Sequence, residues 1–240
     1  MPISSPLNNV SIVLVDTRTP ANIGATARCM MNMGMSRLVL VNPPKYLNEE
    51  SVKLAAGADN ILTQAVVTAS LADALVGQNL VFGTSRHQGR LRKNIRSPRE
   101  AAESISPLLA HNKIAIAFGS EINGLDRREL SLCHEIISIP SSRSFRSLNL
   151  SHAVMIVAYE LFCASATGIR PSTAELAPAE DVEDFYHHLQ ETLLMIEFLE
   201  QDHPEKIMFS LRQIFGRSRL SGRDVRILRG ILSTIQRFMK

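Results

Sequence analysis

The chain has 240 residues, 45% hydrophobic and 20% charged, with a formal net charge of +3, which suits one sizeable globular domain with a small appendage. Its start, MPISSPLNN, lacks a basic segment followed by a long apolar run, and the longest apolar stretch, 153–164, is broken by Tyr159 and Glu160; neither a signal peptide nor a membrane span is expected. Cys29, Cys133 and Cys163 have neither CxxC spacing nor clustered histidines, so no disulfide framework and no metal site is expected, and a reducing, cytoplasmic setting fits.

Apolar periodicity predicts strands at 11–15, 37–41, 65–68, 79–84, 113–118 and 135–139, alternating with helices at 21–33, 71–75, 98–110, 127–133 and 151–167. Several strands are nearly continuous apolar runs, as in Ile12, Val13, Leu14 and Val15. Runs of that kind belong in a mainly parallel sheet covered on both faces, an α/β class.

Polar residues gather where these strands end. After the first strand come Thr19, Pro20, Ala21, Asn22, Ile23, Gly24, Ala25, Thr26, Ala27 and Arg28. Helical spacing puts Ala21, Gly24, Ala25, Arg28 and Asn32 on one face. A helical glycine costs about 1 kcal/mol relative to alanine, so Gly24 marks a close approach, either of a ligand near Arg28 or of a second helix with Arg28 solvated. After the fourth strand stand Gly83, Thr84, Ser85 and Arg86, and after the fifth Gly119, Ser120, Glu121, Ile122, Asn123, Gly124 and Leu125. The second of these turns lacks the Gly-Lys-Ser/Thr of a triphosphatase loop and the GxGxxG of a dinucleotide site. Between the sixth strand and the helix after it lie Ser147, Leu148, Asn149, Leu150 and Ser151. Ser151 as a helix cap accounts for one of the three polar residues; a ligand-facing turn accounts for all of them. Loops at the carboxyl ends of parallel strands bind ligands in α/β sheets. Glu121 is the only acid in these turns, which leaves paired-carboxylate and Ser-His-Asp chemistry without support.

Beyond 168–178 (GIRPSTAELAP, read as a linker) no strand pattern returns. Val182, Phe185, Leu189, Leu193, Ile196 and Leu199 recur at helical spacing, as do Ile207, Leu211, Ile214 and Phe215, then Val225, Leu228, Ile231, Leu232 and Ile235. The tail is therefore a three-helix extension. Residues 179–203 hold eight acidic and no Lys or Arg residues, whereas 204–240 hold nine basic residues. That basic block suits a phosphate-rich partner; mutual neutralisation of neighbouring helices is the alternative.

Asn22, Gly24 and Arg28, then Gly119, Glu121 and Gly124, then Ser147, Asn149 and Ser151 together resemble the three ordered motifs of the SPOUT family of RNA ribose methyltransferases, in its TrmH-like branch. Across nearly the whole chain, tail included, the similarity is to the tRNA (cytidine/uridine-2′-O-)-methyltransferases of that branch. The resemblance implies a SPOUT fold, a parallel sheet with helices on both faces whose C-terminal part is threaded into a trefoil knot, over residues 1–167. It implies a linker at 168–178, a tRNA-binding helical extension over 179–240, and a homodimer. It further implies S-adenosylmethionine held by Thr84, Ser85, Arg86, Gly119, Ile139, Arg146, Ser147 and Leu148, with no metal and no membrane partner. Arg86 departs from the small residue expected there. The implied reaction is methyl transfer to a ribose 2′-hydroxyl at position 32 of the tRNA anticodon loop. Arg28 and Ser147 would act at the hydroxyl, Glu121 and Asn149 would support the site, and Asn22 would orient Arg28. Arg212, Arg217, Arg219, Arg223, Arg226 and Arg229 would hold tRNA phosphates. A non-catalytic RNA-binding relative and a nicotinamide-dependent α/β enzyme are the competing readings.

Overall fold

A computed structural model describes residues 6–86, 95–142, 144–167, 171–200 and 202–239. Seven parallel strands form one sheet: β1 (Val10–Val15), β2 (Arg37–Val41), β3 (Val66–Thr68), β4 (Leu80–Thr84), β5 (Ile95–Arg96), β6 (Ile114–Phe118) and β7 (Glu135–Ile137), in the order β3-β2-β1-β6-β4-β7-β5. The helices are α1 (Pro20–Asn32), α2 (Glu49–Ala55), α3 (Asp59–Thr63), α4 (Leu71–Ala74), α5 (Pro98–Ile105), α6 (Arg127–Ser131), α7 (Leu150–Ala166), α8 (Ala179–Met195), α9 (Glu205–Gly216) and α10 (Gly222–Phe238).

The continuous apolar strands are buried on both sides because successive residues serve different cores. Ile12, Leu14, Ile114, Ile116 and Phe118 join α1, α5 and α7 in one cluster; Val13, Val15, Ala115 and Ala117 join α4 and α6 in the other. Fully burying a side chain such as Phe82 or Phe118 contributes about 1.5–3 kcal/mol, so the central strands β6 and β4 anchor the domain. Since β1, β6, β4 and β7 are parallel neighbours, the chain leaves all four at the same sheet edge. That alone brings the polar turns after β4, β6 and β7 side by side.

The predicted strands and long helices are present, with β7 ending at Ile137 rather than 139 and α8 at Met195, short of the expected Ile196 and Leu199. Helices α2 and α3 and strand β5 had not been anticipated. They are seven, five and two residues long. The α2 start uses an Asn48–Ser51 capping box in place of the usual Glu or Gln partner.

The stretch at 171–178 contains no regular element but is tied down throughout. Ser172 donates its N–H to Pro107 O at 2.7 Å, and Ala177 donates to Leu220 O at 2.8 Å. Buried Asn112 donates to Ala174 O at 2.8 Å and accepts from Leu176 N at 2.9 Å. The expected linker is thus a hydrogen-bonded strap; residues 168–170 lie outside the described residues. Helices α8, α9 and α10 close around Phe185, Tyr186, Leu189, Met208, Val225 and Leu232.

A buried carboxylate joins tail to sheet. Glu135, 3% exposed, pairs with Arg96 on one side and with Arg219 on the other, whose Nη2 and Nε approach Oε1 at 2.7 and 3.0 Å. Arg219 also donates to Ser104 Oγ at 3.2 Å.

Candidate ligand cleft and polar relay

A cleft of about 1020 Å³ opens where the turns after β4, β6 and β7 meet. Thr84, Ser85 and Arg86 line it from the first turn, Gly119 and Glu121 from the second, and Ile139, Arg146, Ser147 and Leu148 from the third. All eight residues that the resemblance assigns to the methyl donor therefore share one cavity. Thr84 directs its hydroxyl into the sheet, donating to Ala117 O at 3.0 Å. The second turn folds on itself: Gly124 N donates to Ser120 O at 2.9 Å, and a Cβ on Gly119 would lie 2.0 Å from the Gly124 carbonyl carbon. Only glycine fits at 119.

Three distant motifs are joined by one chain of hydrogen bonds. The Glu121 carboxylate accepts from Asn22 Nδ2 at 2.9 Å and from the backbone N–H groups of Arg18 at 3.1 Å and Thr19 at 3.3 Å. Asn22 Oδ1 accepts from Asn149 Nδ2 at 2.9 Å. Asn149 Oδ1 in turn accepts from Ser151 N at 3.0 Å and Ser151 Oγ at 2.7 Å. Burial alone would raise the Glu121 pKa, but the bonds from Asn22, Arg18 and Thr19 outweigh it and hold the carboxyl below its ordinary value. An ionised acceptor bonded this way orients its donors and is a poor proton acceptor.

The cap of α7 differs from the expectation. Asn149, not Ser151, is the N-cap, and the helix starts at Leu150. Ser151, the second residue of α7, is buried with its hydroxyl spent on the cap. The three polar residues thus divide their work: Ser147 faces the cleft, Asn149 caps the helix and joins the relay, and Ser151 secures Asn149. Gly24 is also settled. Its Cβ would lie 2.1 Å from Ser51 O of α2, a backbone clash far costlier than the about 1 kcal/mol of helix propensity it forgoes. Helix packing, not a ligand, demands the glycine. Arg28 is exposed on α1, outside the cleft of its own chain, and makes no hydrogen bond or ion pair with the described residues.

The basic tail residues separate into two kinds. Arg212 pairs bidentately with Glu183 at 2.5 and 2.7 Å and stacks over Tyr186, 4.3 Å from the ring centroid. With Arg219 held by Glu135 of β7, these two guanidinium groups are engaged inside the fold; the alternative of acid–base neutralisation between neighbouring helices holds for Arg212 and Glu183. Arg229 makes only a loose approach to Asp184 at 3.8 Å, while Arg217, Arg223 and Arg226 are exposed.

The residues that sequence reasoning missed come from the tail. Lys206, Phe209, Ser210, Gln213 and Ile214 of α9, with Arg127 at the start of α6, line the same cleft. Their spacing is helical, but the apolar periodicity of this segment runs through Ile207, Leu211, Ile214 and Phe215. Met208 is buried instead, and Ile214 is 54% exposed. Among the described residues the lining side chains include four cations, Arg86, Arg127, Arg146 and Lys206, against the single carboxylate Glu121. Among the described residues no helix is long and apolar enough to cross a membrane, and no cluster of three or more His, Cys, Asp or Glu could hold a metal. The described cysteines are free.

Fold and cleft define a parallel α/β protein with its ligand site at the carboxyl ends of the strands and a helical tail forming one wall. Residues 9–159 match the model of the SpoU rRNA methylase family, and residues 180–240 match the C-terminal domain of the tRNA methyltransferase TrmJ. The tRNA (cytidine/uridine-2′-O-)-methyltransferase TrmJ of Pectobacterium atrosepticum is 39% identical, over 96% of this chain and 98% of its own length. The tRNA (cytidine/uridine/adenosine-2′-O-)-methyltransferase TrmJ of Pseudomonas aeruginosa is also 39% identical, over 96% and 95%. The crystal structure of TrmJ from Z. mobilis ZM4 superposes with a TM-score of 0.82 at 31% identity, covering 94% of this chain and 98% of that one. The chain belongs to the SpoU methylase family, within its TrmJ group.

Proposed function

We propose that this protein transfers a methyl group from S-adenosylmethionine to the ribose 2′-hydroxyl of a cytidine or uridine in tRNA, at position 32 of the anticodon loop. The observation that carries the reading is the convergence of the turns after β4, β6 and β7 on one cleft, with the Glu121–Asn22–Asn149 relay tying the second and third of them to α1. The names and near-complete coverage of the relatives support it. The cleft is large for one small ligand, since typical pockets hold about 300–1000 Å³, and its wall mixes backbone turns, apolar side chains and cations, which suits an adenosyl amino acid.

The donor supplies an electrophilic methyl group. The chain aligns the hydroxyl with it, and alignment of two reactants can contribute several kcal/mol. Thr84, Ser85, Arg86, Gly119, Ile139, Arg146, Ser147 and Leu148 would hold the donor, and the hydroxyl proton leaves either to a phosphate oxygen of the RNA or through Ser147, which passes it on to solvent. Glu121, Asn22 and Asn149 fix the relative placement of the turns. A neutral Arg28 acting as literal base would be costly, because a guanidinium group keeps its proton far above neutral pH. Arg28 therefore acts as a cation that clamps phosphate and stabilises the forming alkoxide. Being outside the cleft of its own chain, it reaches the reacting group in a homodimer. Exposed Met31 on α1 and Tyr159 and Phe162 on α7 form the apolar face on which the second copy docks.

The reading includes the trefoil threading, supported by the insertion of β7 between β4 and β5. It divides the chain into a catalytic unit at 1–167, a linker at 168–178 and the tail at 179–240. Arg217, Arg223 and Arg226, with Arg229, grip tRNA phosphates. The protein works in the cytoplasm, on tRNA. The test is incorporation of labelled methyl from S-adenosylmethionine into unmodified tRNA, followed by mapping of ribose methylation. Label at the 2′-oxygen of residue 32 is expected; label on a base, or donor binding without any transfer, would reject the reading. In the same assay, Arg28→Lys retains part of the turnover with an unshifted pH optimum if Arg28 is a clamp. An optimum displaced toward the lysine pKa would make it the base.

A further inference from the structure

Helix α9 presents two faces. Met208, Leu211 and Phe215 turn into the tail core, while Lys206, Phe209, Ser210, Gln213 and Ile214 line the cleft shared with the three turns. The second set falls at i, i+3, i+4, i+7 and i+8, one stripe of a helix. Nothing in the packing of the tail needs that stripe. Ile214 is 54% exposed, and Ile122 across the lining set is 74% exposed, so apolar surface inside a concavity is left for a ligand to cover. Phe209 is steadied by Arg127, whose guanidinium carbon lies 5.4 Å from the ring centroid. This contact ties α9 to the segment that directly follows the Glu121 turn.

We propose that α9 is a wall of the methyl-donor site and that Phe209, Gln213 and Ile214 are donor-binding residues, with Lys206 at the polar end of the stripe. The proposal rests on the assignment of the cleft to S-adenosylmethionine and adds to it a contribution from the tail. The stripe's chemistry favours the donor over RNA as occupant. It offers an aromatic ring and an aliphatic side chain for a purine, an amide for hydrogen bonds and one ammonium for a carboxylate. The tail cations suited to a phosphate chain, Arg217, Arg223 and Arg226, are exposed and do not line the cleft. The tail is then not a separate RNA handle joined to a self-sufficient catalytic unit, because the donor touches both.

The experiment is calorimetric titration of the full chain with S-adenosylhomocysteine in the absence of tRNA. Phe209→Ala is expected to weaken binding by about tenfold, the size of a lost aromatic contact with its burial. Ile214→Ala, on a side chain that is exposed and outside the tail core, is expected to weaken it by about threefold with unchanged thermal melting, which separates binding from folding. If the unsubstituted protein binds and both variants match it within about twofold, the proposal is overturned. It is equally overturned if both variants raise only the KM for tRNA, which would give the stripe to RNA. Failure of the unsubstituted protein to bind would instead remove the donor assignment of the cleft itself.

Discussion

His134→Asn probes the seam between sheet and tail. The His134 Nδ1 accepts the Val81 N–H at 3.0 Å, and its backbone N–H donates to Val81 O at 2.9 Å. The residue borders a small cavity with Tyr186, Phe215 and Arg219. Burial holds the imidazole down to about 4, against an ordinary 6.5. Glu183 and Glu135 pull it up and Arg212 and Arg219 push it down, without matching burial. Because the folded pKa lies below the unfolded one, the unfolded chain takes up the proton first. The stabilisation is complete above about pH 6.5 and drains as the pH falls toward 4. At 1.36 kcal/mol per pKa unit the whole loss is about 3 kcal/mol. Asparagine keeps an acceptor for Val81 but cannot titrate, so its variant loses that much less stability over the same interval. Urea unfolding of both proteins across this pH range measures the difference. Parallel stability curves for the two would refute the reasoning and show that His134 is solvated in the folded chain.

Glu121→Gln replaces a carboxylate that accepts three N–H bonds with an amide that can accept at only one atom. Turnover is expected to fall between about tenfold and a hundredfold, the range for hydrogen bonds to a charged group, read as kcat with saturating donor and tRNA. The stabilisation from the ionised Glu121 is complete above its ordinary pKa of 4.5 and is lost as the pH falls through the lowered folded value, so the variant unfolds with less acid dependence below that pH. Arg219→Ala leaves Glu135, 3% exposed, with Arg96 alone and is expected to cost roughly 3 kcal/mol in urea unfolding. Arg223→Ala, on an exposed side chain, should leave unfolding unchanged while weakening tRNA binding and reducing its salt dependence by about one unit of slope.

Much of this was legible before any coordinates. The doubly buried strands betrayed themselves as continuous apolar runs, and parallel topology then forces the turns after β4, β6 and β7 to one edge. The polar residues of those turns could therefore be nominated together. What could not be read was who bonds to whom. Asn149 and Ser151 are both good caps by propensity, and only the Asn22 contact shows why Asn149 takes the position. Gly24 signals a close approach, but that its neighbour is Ser51 of α2 depends on how two helices pack, which no local pattern carries. The arginines of the tail look alike in sequence, yet Glu135 and Glu183 take two of them out of circulation. Ile214 shares the spacing of core residues, and only the orientation of α9 turns it to the cleft.

The Arg96–Glu135–Arg219 cluster also constrains how such tails can be exchanged. A chimera that grafts a different helical extension onto this sheet would strand Glu135 with half of its counter-charge, unless the graft brought its own arginine to the same spot. Whether a foreign extension can seat on this sheet is therefore set first by one hidden lock and its key.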